Sequence, residues 1–216
     1  MSFQSTVLNF FLKKFVKNTK PSPDEYSFQD MRDLMNDSFE MGEKNFIEKL
    51  IIKSTFANRR SSIKSTEIVL DGIRTLKITR DDSQKEKCIL YFHGGGYIAG
   101  SPETHLNLLK EIYNNSKITI YAIDYSLSPE SKFPLALNEA VRSYTALRDL
   151  VYQVNNIIIG GDSAGGNLSL VCTLKLQENN QELPSKLFLL SPWTDLTASG
   201  KSIESNSISD PYLSYD

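Results

Sequence analysis

The sequence is poor in the residues that build metal centres and covalent cross-links. Its 216 residues include two histidines, two cysteines and one tryptophan. Two histidines without a cysteine pattern cannot assemble a zinc site, so neither a metal nor a cofactor is expected. Cys88 and Cys172 each lie inside an apolar segment. That predicts buried, reduced thiols rather than a disulfide and points to a reducing, cytoplasmic setting. No apolar run nears the ~18 residues of a membrane-spanning helix. An excess of one charge is missing too: 24 Lys and Arg against 26 Asp and Glu leave a net −2. That balance gives no footprint for nucleic acid.

Apolar residues make up 40% of the chain, enough for one substantial domain with a small cap. Residues 1–60 read as a charged, helical cap segment broken at Pro21-Ser22-Pro23. Within it, residues 7–16 have amphipathic spacing. This suits a helix packed on the domain, with membrane-surface contact as the alternative. The core domain is expected over 61–216. Two β-rich runs, 66–70 and 73–79, flank Asp71-Gly72, a strong hairpin signal. Four short apolar runs follow at 88–92, 118–123, 157–159 and 187–190. Helix-like stretches at 103–113, 135–150 and 167–177 separate them. The alternation predicts an α/β fold with a mostly parallel sheet and helices on both faces.

Two glycine motifs fall at the carboxyl ends of such strands, where α/β sheets place ligands. Gly161-Asp162-Ser163-Ala164-Gly165 follows the 157–159 run, and His93-Gly94-Gly95-Gly96 follows the 88–92 run. A G-x-S-x-G segment sets a serine on a strained strand-to-helix turn with its hydroxyl exposed. Ser163 is thus a candidate nucleophile for an acyl carbonyl. The N–H groups of Ala164 and of Gly94, Gly95 and Gly96, chiefly the last two, are candidate donors to the resulting oxyanion. A serine hydroxyl also needs a base, yet no histidine follows Ser163. His93 reads as a loop-orienting residue and His105 as structural or pocket-lining. Tyr97 and Trp193 are candidate lining for an apolar pocket. A dinucleotide-binding reading formally fits Gly94 to Ala99 with Asp124 after the next strand. However, Gly100-Ser101-Pro102 interrupts the helix it needs, and residues 161–165 stay unexplained.

Five segments occur in a telling order. They are His93-Gly94-Gly95-Gly96-Tyr97, Asp124-Tyr125-Ser126-Leu127-Ser128-Pro129-Glu130, Phe133-Pro134-Leu135-Ala136, Gly161-Asp162-Ser163-Ala164-Gly165-Gly166-Asn167 and Leu190-Ser191-Pro192-Trp193. This set resembles the hormone-sensitive lipase branch of the α/β-hydrolases, which includes bacterial esterases and arylacetamide deacetylase-like enzymes. The resemblance implies an α/β-hydrolase fold and hydrolysis of a small-molecule carboxylic ester through an acyl-enzyme on Ser163. It also implies that His93, Asp124, Glu130 and Asp162 brace the site. In that family the triad runs serine, acid, histidine. Here Asp195, Asp210 and Asp216 follow the serine and no histidine does, and Asp195 matches a position that is not the triad acid. The resemblance therefore implies a C-terminally truncated chain that lacks its last strands. Such a chain would carry an unpaired sheet edge and be poorly active or inactive alone. The alternative is a non-catalytic small-ligand-binding protein on the same scaffold, as in the plant gibberellin receptors that resemble this family.

Overall fold

The computed structural model describes residues 63–150 and 154–206 and, ahead of them, residues 27, 29, 30, 32, 33, 35–37 and 39. The amphipathic stretch at 7–16, most of the expected cap at 1–60, and Asp210 and Asp216 lie outside the described residues.

The hairpin forms where Asp71-Gly72 predicts it. Strands β1 (Lys64–Leu70) and β2 (Ile73–Thr79) pair antiparallel, with Leu70 opposite Ile73. Asp71 and Gly72 both adopt left-handed φ, 48° and 79°, which suits the twist of a two-residue turn. The four apolar runs become β3 (Gln84–Phe92), β4 (Ile118–Ile123), β5 (Ile157–Asp162) and β6 (Lys186–Leu190). Helix α1 (Leu106–Ser116) links β3 to β4. Helix α2 (Leu135–Leu150) lies between β4 and β5, and α3 (Ser163–Glu178) between β5 and β6. The sheet order is β1-β2-β4-β3-β5-β6. The β4-β3, β3-β5 and β5-β6 pairs are parallel; the hairpin joins the sheet through an antiparallel β2-β4 pair.

Alternation along the strands builds a core on each face. Cys88, Leu90 and Phe92 of β3, Tyr121 and Ile123 of β4, and Ile157 and Ile159 of β5 point one way. Ile89 and Tyr91 of β3, and Ile120 and Ala122 of β4, point the other, as the period of two requires. The first face is covered by α2 through Ala140, Tyr144 and Leu147, and by α3 through Leu168, Cys172 and Leu176. Those spacings of three and four place each set on one helical stripe. The second face is covered by α1 through Leu109 and Tyr113. Both cysteines are buried and unpaired, and burial pushes each thiol pKa up to about 12.

Two helix starts differ from the sequence reading. Helix α1 begins later than expected because Ser101 and Thr104 form their own turn. The Ser101 N–H donates to Thr104 Oγ1 at 2.9 Å, and the Thr104 N–H donates to Ser101 Oγ at 3.2 Å. Helix α3 begins earlier, at Ser163 itself. Its first turn contains Gly165 and Gly166, residues that depress helix propensity and so hide the start.

This topology positions the site. Helix α1 covers one face and α2 the other, so the chain leaves β3 toward β4 and returns to the opposite side of β3 as β5. The direction of winding reverses between β3 and β5, and their carboxyl ends flank a crevice.

The chain divides into two compact units, Arg32–Trp193 and a smaller one of Met1–Met31 with Thr194–Asp216. The first contains the sheet. In the smaller unit the Ser27 N–H donates to Asp30 Oδ2 at 2.9 Å and the Asp30 N–H to Ser27 Oγ at 3.2 Å, a reciprocal helix cap. The Asp195 carboxylate accepts from the backbone N–H and the hydroxyl of both Thr197 and Ser199. Those bonds hold its pKa down to about 2. Asp195 therefore serves its own turn.

Candidate active site

Strand β5 ends in Asp162, and helix α3 begins at the next residue. Ser163 takes φ 50°, a left-handed conformation that costs a non-glycine residue about 1–2 kcal/mol. Its neighbours from 164 to 169 are all buried, whereas Ser163 is exposed. The strained turn thus lifts one hydroxyl out of a packed segment. Ala164 lies in the first turn of α3, where backbone N–H groups have no intrahelical acceptor.

The turn is tight because α3 runs against β3. A Cβ on Gly165 would overlap the Phe92 carbonyl oxygen and sit 2.5 Å from the His93 carbonyl oxygen. On the other side, the Trp193 N–H donates to the Ser163 carbonyl at 2.9 Å. This ties the Trp193 backbone to the serine turn, and the Trp193 side chain is exposed.

The glycine segment after β3 folds into a compact loop. The Gly95 carbonyl accepts from the N–H groups of Ile98 at 3.0 Å and Ala99 at 2.9 Å. Gly95 has φ 120°, and a Cβ there would overlap the Ala99 carbonyl, so only glycine closes this turn. Among the described residues, the N–H groups of Gly95 and Gly96 donate to no protein acceptor. Gly94 corrects the sequence reading. Its N–H donates to Asp162 Oδ1 at 2.9 Å, so it ties the loop down instead of facing an anion.

Asp162 is the hub of this tie. Tyr91 Oη donates to its Oδ1 at 2.8 Å, and His105 Nε2 lies 3.3 Å from its Oδ2. Burial pushes the Asp162 pKa up, but the bonds from His105, Tyr91 and Gly94 outweigh that and leave it below the ordinary value. One carboxylate thereby joins β3, the glycine loop and the lead-in to α1 to the serine turn. The other ring nitrogen of His105, Nδ1, lies 2.9 Å from Thr104 Oγ1.

His93 is bonded into the start of the glycine loop. Its Nδ1 lies 2.7 Å from the Gly94 carbonyl, and a carbonyl only accepts, so Nδ1 carries the proton. The ring stacks on Tyr125 at 4.3 Å, and Tyr125 Oη donates to the His93 carbonyl at 2.6 Å. Burial lowers the His93 pKa to about 4 from the ordinary 6.5. The native ring thus stays neutral while an unfolded one protonates. Stability from this residue is present above pH 6.5 and is lost as pH falls toward 4, by up to about 3 kcal/mol. The variant His93→Asn keeps an N–H near the Gly94 carbonyl. Its urea midpoint is expected to fall less than that of the wild type between pH 7 and pH 4.5; equal falls would refute the assignment.

The other predicted residues lie farther back. Asp124 accepts from Arg74 Nη1 at 3.0 Å, and Arg74 also holds Glu67 and Glu103. Burial raises the Asp124 pKa. Glu130 accepts both ends of a bidentate contact from Arg32. The Tyr97 hydroxyl donates to Asn167 Oδ1 at 2.6 Å, and its ring edge meets Tyr125. It ties the glycine loop to α3. The sequence reading missed Tyr91, Tyr125 and Asn167 as bracing groups. The available signal was that a buried tyrosine hydroxyl requires a partner.

A profile of the α/β-hydrolase fold family matches residues 89–216. The chain belongs to the α/β-hydrolases. Within them, its relatives place it on the hormone-sensitive lipase branch. An esterase of Acinetobacter venetianus is 33% identical over 155 residues, covering 72% of this α/β-hydrolase and 51% of the relative. The crystal structure of an esterase from the bacterial hormone-sensitive lipase family superposes with a TM-score of 0.81 at 26% identity, over 99% of this chain and 65% of that one. The structure of EstE5 soaked with p-nitrophenyl butyrate superposes at 0.80 and 26% identity, over 99% of this chain and 66% of that one. The chain spans about half the length of the curated relatives it matches. Among the described residues, no helix is long and apolar enough to cross a membrane.

Proposed function

We propose that this α/β-hydrolase carries the acylation machinery of a serine carboxylic-ester hydrolase acting on small esters. The Ser163 oxygen attacks the ester carbonyl carbon, and the π pair moves onto the carbonyl oxygen. The N–H groups of Gly95, Gly96 and Ala164 hold that anion; one such donor contributes about 3–4 kcal/mol to lowering the barrier. Collapse expels the alkoxide, which leaves as the alcohol with the proton taken from serine. Water then cleaves the acyl-serine to the acid. The observation that carries this reading is the exposed hydroxyl on a left-handed serine at the start of α3. The buried, unpaired Cys88 and Cys172 support a cytoplasmic setting.

A base must take the serine proton. Among the described contacts neither histidine bonds Ser163: His93 Nδ1 meets the Gly94 carbonyl within a buried ring, and His105 Nε2 meets Asp162. The 216-residue chain is therefore expected to acylate slowly and to turn over p-nitrophenyl butyrate poorly. The same observation favours a second reading, a scaffold that binds an ester-like ligand without cleaving it.

Prolonged incubation with an alkyl fluorophosphonate tests the proposal, because the reagent traps a nucleophilic serine. One adduct on Ser163, absent from Ser163→Ala, is the expected mass spectrum. Equal modification of both proteins would defeat it, and a protein that takes up no label yet binds p-nitrophenyl butyrate reversibly would point to the second reading.

A further inference from the structure

Three described helical residues, Arg32, Asn36 and Phe39, are spaced four and then three apart, so they share one face of a helix. Each touches the glycine loop or its continuation. Arg32 Nε donates to the Ile98 carbonyl at 2.6 Å, and its Nη2 to the Ser128 carbonyl at 2.5 Å. The same guanidinium holds Glu130 through two bonds, at 2.8 and 2.6 Å. Asn36 Oδ1 accepts from the Gly100 N–H at 2.9 Å. The Phe39 ring lies 5.5 Å from that of His105, the residue that holds Asp162.

We propose that this helix face is a latch that sets the geometry of the glycine loop, with Arg32 as its main positioning residue. The role in catalysis rests on the function proposed above; the latch itself does not. The loop closes on the Gly95 carbonyl through the Ile98 and Ala99 N–H groups. Arg32 grips the far end of that closure, at the Ile98 carbonyl, and fastens it to the loop after β4. There the Ser128 N–H donates to the Tyr97 carbonyl at 2.8 Å. Tyr97 adopts φ 64°, a conformation that relaxes unless neighbouring contacts hold it. The ion pair with Glu130 has an exposed partner, 58% accessible at its side chain, and such pairs contribute little by themselves. The value of the arginine lies in its fixed fork, which reaches two carbonyls and a carboxylate at once from a side chain only 15% exposed. A lysine ammonium cannot span that set.

The test is amide exchange by NMR on the full chain, with fluorophosphonate labelling of Ser163 as a second readout. The proteins are wild type, Arg32→Met, Arg32→Lys and Asn36→Ala. In Arg32→Met the Ile98, Ala99 and Gly100 amides are expected to exchange about tenfold faster or more, since a bond to a charged group contributes at least that factor. Amides of β5 are expected to keep wild-type rates, and labelling of Ser163 is expected to slow by a similar factor. Arg32→Lys should recover less than half of either loss. Asn36→Ala should speed exchange mainly at Gly100; it removes one bond, so it reports even if Arg32→Met fails to fold. Unchanged exchange at residues 98–100 overturns the latch, and so does a uniform rise that includes β5, since that marks Arg32 as a general stability residue. A wild-type protein that takes no label at Ser163 would instead strike the proposed function, while the exchange data still decide the latch.

Discussion

Gly165→Ala is expected to be among the most destabilising single-methyl additions in the chain, costing at least about 4 kcal/mol. The added Cβ would overlap the Phe92 carbonyl and crowd the His93 carbonyl. Neither group can retreat. Phe92 sits in the middle of the sheet, paired with Ile123 of β4 on one side and Gly161 of β5 on the other. The helix cannot retreat either without pulling Leu168, Cys172 and Leu176 from the core they fill. For a chain of this size, 4 kcal/mol corresponds to a fall in Tm of roughly 8–16 °C. Gly96→Ala is the control. A Cβ there meets nothing closer than Ile98 Cγ1 at 3.7 Å, although φ is 63°. It should cost only the conformational penalty, about 1–2 kcal/mol. Calorimetry of the two variants separates close approach from backbone strain. Equal losses would mean that α3 has room to shift away from β3.

The contrast shows what the sequence could and could not express. The hairpin, the four apolar strands and the span of α2 were legible because each depends on neighbours in the chain: a two-residue turn, a buried run, a helical period. The convergence of the two glycine motifs was legible through a rule about strand ends, without knowing which strands were adjacent. The bracing network was not. Tyr91 and Asp162 are 71 residues apart, and Arg32 and Glu130 are 98 apart. These contacts exist only because β3 and β5 are neighbours and because a helix face lies on the loop beyond β3. The bond from Tyr97 was hidden for the same reason, since its partner Asn167 lies on α3. The serine turn could be recognised as a pattern, but the residues that hold it rigid are selected by tertiary geometry.

That geometry makes Asp162 the residue with the largest expected effect among the polar ones. Asp162→Ala would leave Tyr91 Oη, the Gly94 N–H and His105 Nε2 without their common acceptor. Tyr91 and Gly94 are buried, and His105 is 6% exposed. Breaking a buried charged contact in this way costs about 3–5 kcal/mol. Asp162→Asn should cost about half as much. Its carbonyl oxygen can still accept from Tyr91 and Gly94, while its amide group must face His105, which can accept only from the opposite tautomer. The stability order is therefore wild type, then Asn, then Ala. The glycine loop should loosen in the same order, with Gly94 amide exchange rising first. The acid limb follows from the sign of the shift. The native pKa of Asp162 lies below the ordinary carboxylate value, so its contribution is complete above about pH 4 and disappears as pH falls through the lower native value. The gap in urea midpoint between wild type and Asp162→Asn should thus be full at pH 7 and shrink below pH 4. A gap that stays constant down to pH 2 would mean that the carboxylate charge contributes nothing. The brace would then be a neutral hydrogen-bonding group, and the serine turn and glycine loop would be coupled through packing alone.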